Sequence, residues 1–250
     1  MSNPILNEDR FGSQERILEG EPMSIEGTVG KIFMLFACLI AGAAISIYSL
    51  FTSPGLVPVM MGAGAIIGLV LVVATSFNVK IAKYTAAPYA FFEGLVLGAF
   101  SMFFEAQWHG IVLQAILGTF AVLFVMLMLY KAKMIQYTDK FAAVLKTAIL
   151  SVLVIYLIQI VAMFFGRSIP LIWESGIVGI GFSLLVVVIA AMALIQDFFF
   201  IETASQNMLS KDYEWYGAMG LMITLVWLYT EILRLLAKLN SCLLYTSDAA

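Results

Sequence analysis

Charged residues are scarce in this chain of 250 residues: Asp, Glu, Lys and Arg make up only 12% of it, whereas a soluble domain carries about 25%. Apolar residues make up 62%, and the mean hydropathy is +1.01. Because so little polar sequence is available to cover a water-exposed surface, we expect a multi-pass membrane protein. The net charge of -3 offers no basic surface, so no nucleic acid partner is expected.

Cysteine and histidine are nearly absent. The two cysteines, Cys38 and Cys242, lie in unlike surroundings, so neither a disulfide nor a cysteine-based metal site is expected. The single histidine, His109, lies in a short segment between two apolar runs, where a buried Ser-His dyad is not expected. No HExxH motif or Cys/His cluster occurs in the chain. These absences argue against an enzyme.

Long apolar runs, by contrast, are abundant. Crossing a bilayer core of about 30 Å takes about 20 residues. Seven apolar stretches, separated by short polar segments, are long enough to do so. They are 32–51, 57–77, 88–104, 111–130, 144–165, 176–201 and 216–236. The predicted fold is an all-α membrane protein, a bundle of seven transmembrane helices. Glycines within the runs, such as Gly64, Gly68, Gly94 and Gly98, are expected to let helices pack closely.

The two ends of the chain differ from the rest. Residues 1–31 hold six of the sixteen acids and are expected to be a solvated cytoplasmic tail without a secretory signal. Residues 32–240 then form the transmembrane domain, and residues 241–250, SCLLYTSDAA, are predicted to be a non-native tail. If the N-terminus is inside, inner segments hold ten of the thirteen Lys and Arg residues. The distribution predicts a cytoplasmic N-terminus and an external C-terminus.

Three acids, Glu93, Asp197 and Glu231, fall within the predicted spans, where a charge costs about 2.5 to 3.5 kcal/mol. At 1.5 Å per residue, Glu93 lies about 14 Å and Asp197 about 8 Å from the cytoplasmic face, so these two can meet. Glu231 lies about 24 Å along the last helix. Arg234 offers it a same-face ion pair, so an ion-pair role and an ion-binding role both stay open. A protonated acid or an end charge reaching the headgroups is the structural alternative for Glu93 and Asp197.

Several strings resemble one family. The third-span string FFEGLVLGAFS at 91–101, the string IQDF at 195–198 and the last-span string WLYTEILRLLAKL at 227–239 occur in order. The lead-in PMSIEGTVGK at 22–31 precedes the first span. Together they resemble the Bax inhibitor family of transmembrane proteins, in particular its bacterial branch, over nearly the whole chain up to about Asn240.

The resemblance implies a pH-sensitive calcium leak channel in which six helices surround a central last helix. Acids on the last two helices would share a proton and couple to a basic residue near the second helix. Asp197 matches the first acid. The second matches Glu231 by one alignment or a position near uncharged Thr224 by another, in which case Glu93 is the alternative carboxylate. The basic lock falls at Lys80 or Lys83, although headgroup contact is the simpler interpretation of both lysines.

The resulting hypothesis is a proton switch. Two carboxylates held close in a medium of low dielectric constant cannot both ionise cheaply, so they titrate as one unit. When ionised, Asp197 and Glu231 would offer the hard oxygen ligands that Ca²⁺ prefers. Ca²⁺ is expected as a permeant or regulatory ion, with no tightly bound cofactor. Expected partners are the lipid bilayer and other membrane proteins, such as a membrane protease, and the expected location in a bacterium is the plasma membrane.

Other classes of protein remain open on the sequence alone. A proton-coupled transporter of a small solute also uses buried acids, but the spans offer few polar side chains beyond Gln159 and Gln196. A retinal protein needs a buried lysine, and the last span has none before Lys238. An acid protease pair of Asp197 and Glu231 lacks the glycine-flanked setting of such sites. A regulatory membrane scaffold without transport would need neither acid.

Overall fold

The computed structural model describes residues 21–166 and 176–247. Seven helices account for nearly all of this part of the chain: α1 (Ile25–Thr52), α2 (Val57–Phe77), α3 (Ala82–Gln107), α4 (Ile111–Lys131), α5 (Asp139–Phe164), α6 (Ile177–Gln206) and α7 (Asp212–Ser247). No strand occurs among these residues, only an isolated antiparallel bridge between Pro22 and Ser210. Each of the seven helices is long and apolar enough to cross a membrane. The prediction of seven membrane-spanning helices is confirmed.

The first and last helices run beyond the apolar stretches that predicted them. Helix α1 begins at Ile25, seven residues before the predicted span, because Ser24 caps it by accepting a hydrogen bond from the Gly27 N–H at 3.0 Å. Helix α7 continues to Ser247, past the predicted helix end at Asn240 and into the predicted tail. Hydropathy marks the part of a helix that suits lipid, whereas backbone hydrogen bonds continue into the polar flanks. The rest of the predicted N-terminal tail, residues 1–20, lies outside the described residues.

A glycine and a carboxylate form the turn between α3 and α4. Gly110 adopts φ +84°, a left-handed conformation that costs a glycine little. Glu105 accepts hydrogen bonds from the N–H of Gly110 at 2.6 Å and from the N–H of Val112 at 3.1 Å. The carboxylate thus satisfies free N–H groups at the start of α4. His109 is exposed in this turn, where the sequence analysis placed it.

The chain divides into two compact units: Met1–Gly98 with Phe199–Met222, and Ala99–Phe198 with Ile223–Ala250. In the first unit, α1 and α3 approach so closely that their glycines have no room for a side chain. A Cβ on Gly94 would lie 2.1 Å from the Leu39 carbonyl oxygen, and a Cβ on Gly42 would lie 2.1 Å from that of Phe91. Close backbone approach is how membrane helices gain packing energy.

The second unit has an apolar core between α5 and α6. Leu145 and Val152 of α5 pack with Val186 and Ile189 of α6, and Trp227 of α7 packs against this cluster. The last helix is also the most buried of the seven spans, followed by α3 and α6.

Candidate functional site

Asp197 lies in the second unit, nine residues before the end of α6. Its carboxylate accepts a hydrogen bond from the side chain of Thr224 on α7. Its other oxygen, Oδ2, is buried and has no hydrogen-bond partner within the described residues. The neighbouring Gln196 Oε1 is in the same state. The acid is therefore held between the last two helices by a neutral donor, Thr224, near the position that one alignment to the family assigns to the second acid.

Neither protonation state of Asp197 is fully satisfied by these contacts. An ionised carboxylate accepts at about four lone-pair sites, and a protonated one adds an O–H donor that needs an acceptor. A buried polar atom without a partner costs about 1 to 3 kcal/mol. Because the carboxylate has no cationic partner in the described part of its unit, no positive charge there compensates it when it loses its proton.

Glu231 has a different setting, although it is also on α7 in the second unit. Its carboxylate is 2% exposed, and its Oε1 accepts hydrogen bonds from Tyr156 Oη at 2.7 Å and from Arg234 Nη1 at 3.0 Å. Arg234 Nη1 also donates to Tyr156 Oη at 3.1 Å, and its guanidinium lies 5.3 Å from the centre of that ring. The ion-pair interpretation of Glu231 is the one that the geometry supports.

The structure does not join Asp197 to Glu231. Thr224, the residue that hydrogen-bonds Asp197, lies seven residues before Glu231 on α7, which is about 10 Å along the helix axis. No hydrogen bond or ion pair between the two acids occurs among the residues that the structure describes. The same residues contain no group of three or more His, Cys, Asp or Glu side chains able to hold a metal ion.

Loss of the Glu231 carboxylate should destabilise the protein. In Glu231→Ala, the guanidinium of Arg234 loses its partner, and breaking a buried pair from one side costs about 3 kcal/mol or more. Thermal unfolding in detergent should show a clearly lower Tm. The double variant Glu231→Leu/Arg234→Met, which leaves no unpaired charge, should recover much of the loss. Equal Tm values for the wild type and Glu231→Ala would contradict the structural role.

Glu93 and the two lysines lie in the first unit. The Glu93 carboxylate on α3 faces α2, since its Oε2 would be 3.4 Å from a Cβ on Gly68. Lys83 Nζ lies 3.7 Å from Asp212 Oδ1 in a partly exposed ion pair, and it is ten residues, about 15 Å, from Glu93 along α3. Lys80 contributes its backbone N–H to Asn78 Oδ1, with no side-chain ion pair among the described residues. A lock between either lysine and Asp197 stays a prediction.

Glu214 is a buried acid that the sequence analysis did not single out. It lies in the first turn of α7, is 1% exposed, and forms an ion pair with Lys31 of α1. Its Oε1 also accepts hydrogen bonds from the Ser24 N–H at 2.9 Å and from Ser24 Oγ at 3.1 Å. Glu214 is followed by Trp215 and Tyr216, residue types typical of a membrane interface. Its partners are more than 180 residues earlier in the chain, so no local pattern indicates the pair.

Lys238 is a second ionisable group that is more buried than its helix-end position suggests. Its ammonium is on α7 in the second unit, is 7% exposed, and donates to the Gly179 carbonyl oxygen at 2.9 Å and to Ser183 Oγ at 2.8 Å. Both acceptors are in the first turns of α6. With Glu231 and Arg234, Lys238 forms a polar stripe at helical spacing on α7.

Glu21, which precedes α1, and Lys211, in the turn between α6 and α7, form an exposed ion pair outside the membrane spans. The hydrogen bond and the positive charge of Lys211 lower the pKa of the Glu21 carboxyl, and the same contacts raise the pKa of Lys211. Exposed pairs contribute little to stability because water screens them. This pair still marks where residues 21–24 meet the turn between α6 and α7.

Seven apolar helices that bury ionisable side chains define a multi-pass α-helical membrane protein, a class in which such side chains commonly serve ion or proton movement. The profile of a family described as Bax inhibitor 1 like matches residues 3–241. The chain belongs to the Bax inhibitor 1-like family, as its ordered strings indicated. No curated protein matches it.

Proposed function

We propose that this protein is a pH-sensitive leak pathway for calcium, with Asp197 as the proton sensor. The observation that carries the proposal is the setting of this acid: it lies in an apolar helix, Thr224 is its hydrogen-bond donor, and Oδ2 is buried without a partner. Membership of the Bax inhibitor 1-like family supports the same function. We propose a transport role, without catalysis and without a tightly bound cofactor.

The proposed switch follows from the chemistry of one carboxylate between two helices. When Asp197 is protonated, its contact with Thr224 carries no net charge. When it is ionised, the charge seeks donors or a cation, and the two oxygens suit a hard ion such as Ca²⁺. A change in charge at a helix contact can then favour one of two helix arrangements. Proton binding and calcium entry therefore compete at the same oxygens.

Of the two other acids within the predicted spans, Glu93 rather than Glu231 is the alternative proton sensor. Arg234 and Tyr156 already compensate the Glu231 charge. Glu93 lies against Gly68 and has no ion pair in the described part of the chain. We propose a plasma-membrane location in a bacterium, with a cytoplasmic N-terminus as the distribution of Lys and Arg indicates.

Calcium flux measured against pH tests the proposed function. The purified protein is reconstituted into liposomes that contain a calcium-sensitive dye, and the initial rate is recorded over about pH 5 to 8. We expect a protein-dependent leak whose rate changes with pH, and the sign of that change identifies the conducting protonation state. Protein-free liposomes are the control.

Each competing function gives a different result in the same assay. A proton-coupled transporter would show saturable solute exchange and no calcium leak. A regulatory scaffold would show no flux at any pH, and its cellular role would persist in a variant lacking both Asp197 and Glu93. Either result would contradict the channel function.

A further inference from the structure

Four residues before α1, Glu21–Ser24, lie across the turn that links α6 to α7; we call them the N-terminal strap. Pro22 forms an antiparallel bridge with Ser210, and the Met23 N–H donates to the Leu209 carbonyl oxygen at 2.8 Å. The Met23 side chain is 3% exposed and packs on Ile201 and Ala204 near the end of α6. All these contacts lie in the first unit, so the strap is packed and hydrogen-bonded as part of that unit.

The strap is held to α7 through Glu214. Ser24 donates two hydrogen bonds to Glu214 Oε1 while its Oγ also caps α1, and Lys31 donates to Oε2. The Lys31 ammonium also lies 5.3 Å from the centre of the Trp215 ring. A Cβ on Gly27 would lie 2.5 Å from Glu214 Oε1, so a side chain at this position would displace the carboxylate. Glu214 thus ties the strap and α1 to the first turn of α7.

The strap is held by two polar contacts of different strength, the Glu21–Lys211 ion pair and the hydrogen bonds of Ser24 to Glu214. Glu21 and Lys211 are exposed, and their contact is screened by water. The Glu214 contacts are buried and charge-assisted, which makes them stronger. A strap with one weak and one strong end can open stepwise, from Glu21 toward Ser24, without unfolding a helix.

The two helices that flank the strapped turn, α6 and α7, also carry Asp197 and its hydrogen-bond donor Thr224. Asp197 lies ten residues before Asn207 at the start of the turn, and Thr224 lies ten residues after Glu214, about 15 Å along each helix. The hydrogen bond between Asp197 and Thr224 joins these same two helices. Helix α6 is continuous from Asp197 to the turn, and α7 is continuous from Glu214 to Thr224.

We propose that the N-terminal strap is a regulatory clamp on the α6–α7 turn, with Glu214 and Lys31 as positioning residues that keep the calcium leak low until the strap is released. This inference rests on the proposed function. Its physical content is that the strapped and released states differ in how α6 and α7 present Asp197. Coupling between such states commonly changes an equilibrium about fivefold or more.

A reversible cross-link tests the clamp. Paired residues of an antiparallel bridge have Cα atoms about 5 Å apart, which suits a disulfide. We would introduce Pro22→Cys and Ser210→Cys after replacing the native cysteines by Cys38→Ala and Cys242→Ala. Oxidation should lower the calcium flux about fivefold and shift the pH of half-maximal flux, and reductant should restore both. Pro22→Cys alone, treated with the same oxidant, is the matched control.

Glu214→Gln provides the opposite perturbation. This variant keeps the shape of the side chain but removes the charge that Lys31 and Ser24 fasten, so we expect about fivefold higher flux. The charged groups around Glu214 are Lys31 on α1, Lys211 and Asp212 beside the turn, and Glu21 in the strap. Flux and pH profile that are unchanged by both the cross-link and Glu214→Gln would overturn the clamp.

Opening of the strap can also be measured by cysteine labelling, which does not depend on calcium flux. A wild type that conducts no calcium would refute the proposed function but would leave this measurement valid. Ala204 lies beneath Met23, so a maleimide should label Ala204→Cys slowly in the cysteine-free background. Glu214→Gln should accelerate that labelling about fivefold, provided that size-exclusion profiles show a folded protein. Equal labelling rates with and without Glu214→Gln would show that the strap does not open.

Discussion

Asp197→Asn should abolish the pH dependence of calcium flux. Asparagine has the shape of aspartic acid and keeps an acceptor for Thr224, but it cannot ionise. The variant should therefore conduct at every pH at the rate that the wild type reaches in acid. Because a single titrating group changes occupancy by at most about tenfold per pH unit, the wild-type profile should be no steeper than that. Dye-loaded liposomes measure both proteins side by side.

The matched control for this variant is Glu202→Gln. Glu202 lies five residues later on the same helix, near its end, and accepts a hydrogen bond from Gln206. The Glu202→Gln variant loses one carboxylate from α6, as Asp197→Asn does, but it should keep the wild-type pH profile. A full pH response in Asp197→Asn would remove this residue as the sensor.

Gly94→Val should prevent the first unit from folding. A Cβ at this position would lie 2.1 Å from the Leu39 carbonyl oxygen and 2.9 Å from the Leu39 carbonyl carbon, so α1 would have to move away from α3. Backbone cannot yield as a flexible side chain does, and we expect a loss of about 3 kcal/mol or more. The expected result is little or no monodisperse protein in detergent, or a greatly lowered Tm.

Gly62→Val is the control for the glycine substitution. It makes the same change in α2, where a Cβ would meet nothing within 4 Å. Its yield and Tm should stay close to those of the wild type, since valine favours a helix slightly more than glycine does. If both variants behave alike, the close approach of α1 and α3 does not limit stability.

The distribution of acids shows why part of the candidate site could be predicted. Asp197 stood out because a carboxylate in an apolar span is costly, and that cost depends only on the local sequence. The ion pair of Glu231 with Arg234 was foreseen as an alternative because residues three apart share a helix face. The sequence indicates a position near Thr224 as one of two possible partners of Asp197, because one alignment to the family selects that position and another selects Glu231. It does not predict the hydrogen bond itself.

The Glu214 site shows why the rest could not be predicted. Its partners Lys31 and Ser24 are at the other end of the chain, and no periodicity relates them. In the sequence, Lys31 counted only as a positive charge near the membrane surface. Burial of Glu214 to 1% exposure follows from the packing of three segments, which hydropathy does not describe.

The sequence by itself determined the class of protein and the number of spans, because lipid accepts only long apolar helices whose backbone hydrogen bonds are internal. It also determined which charges are expensive enough to need an explanation. Only the tertiary structure decided their partners: Thr224 for Asp197, Arg234 and Tyr156 for Glu231, and Lys31 and Ser24 for Glu214. Partner choice depends on helix rotation and axial offset, and these are set by side-chain packing between segments that are distant in the chain.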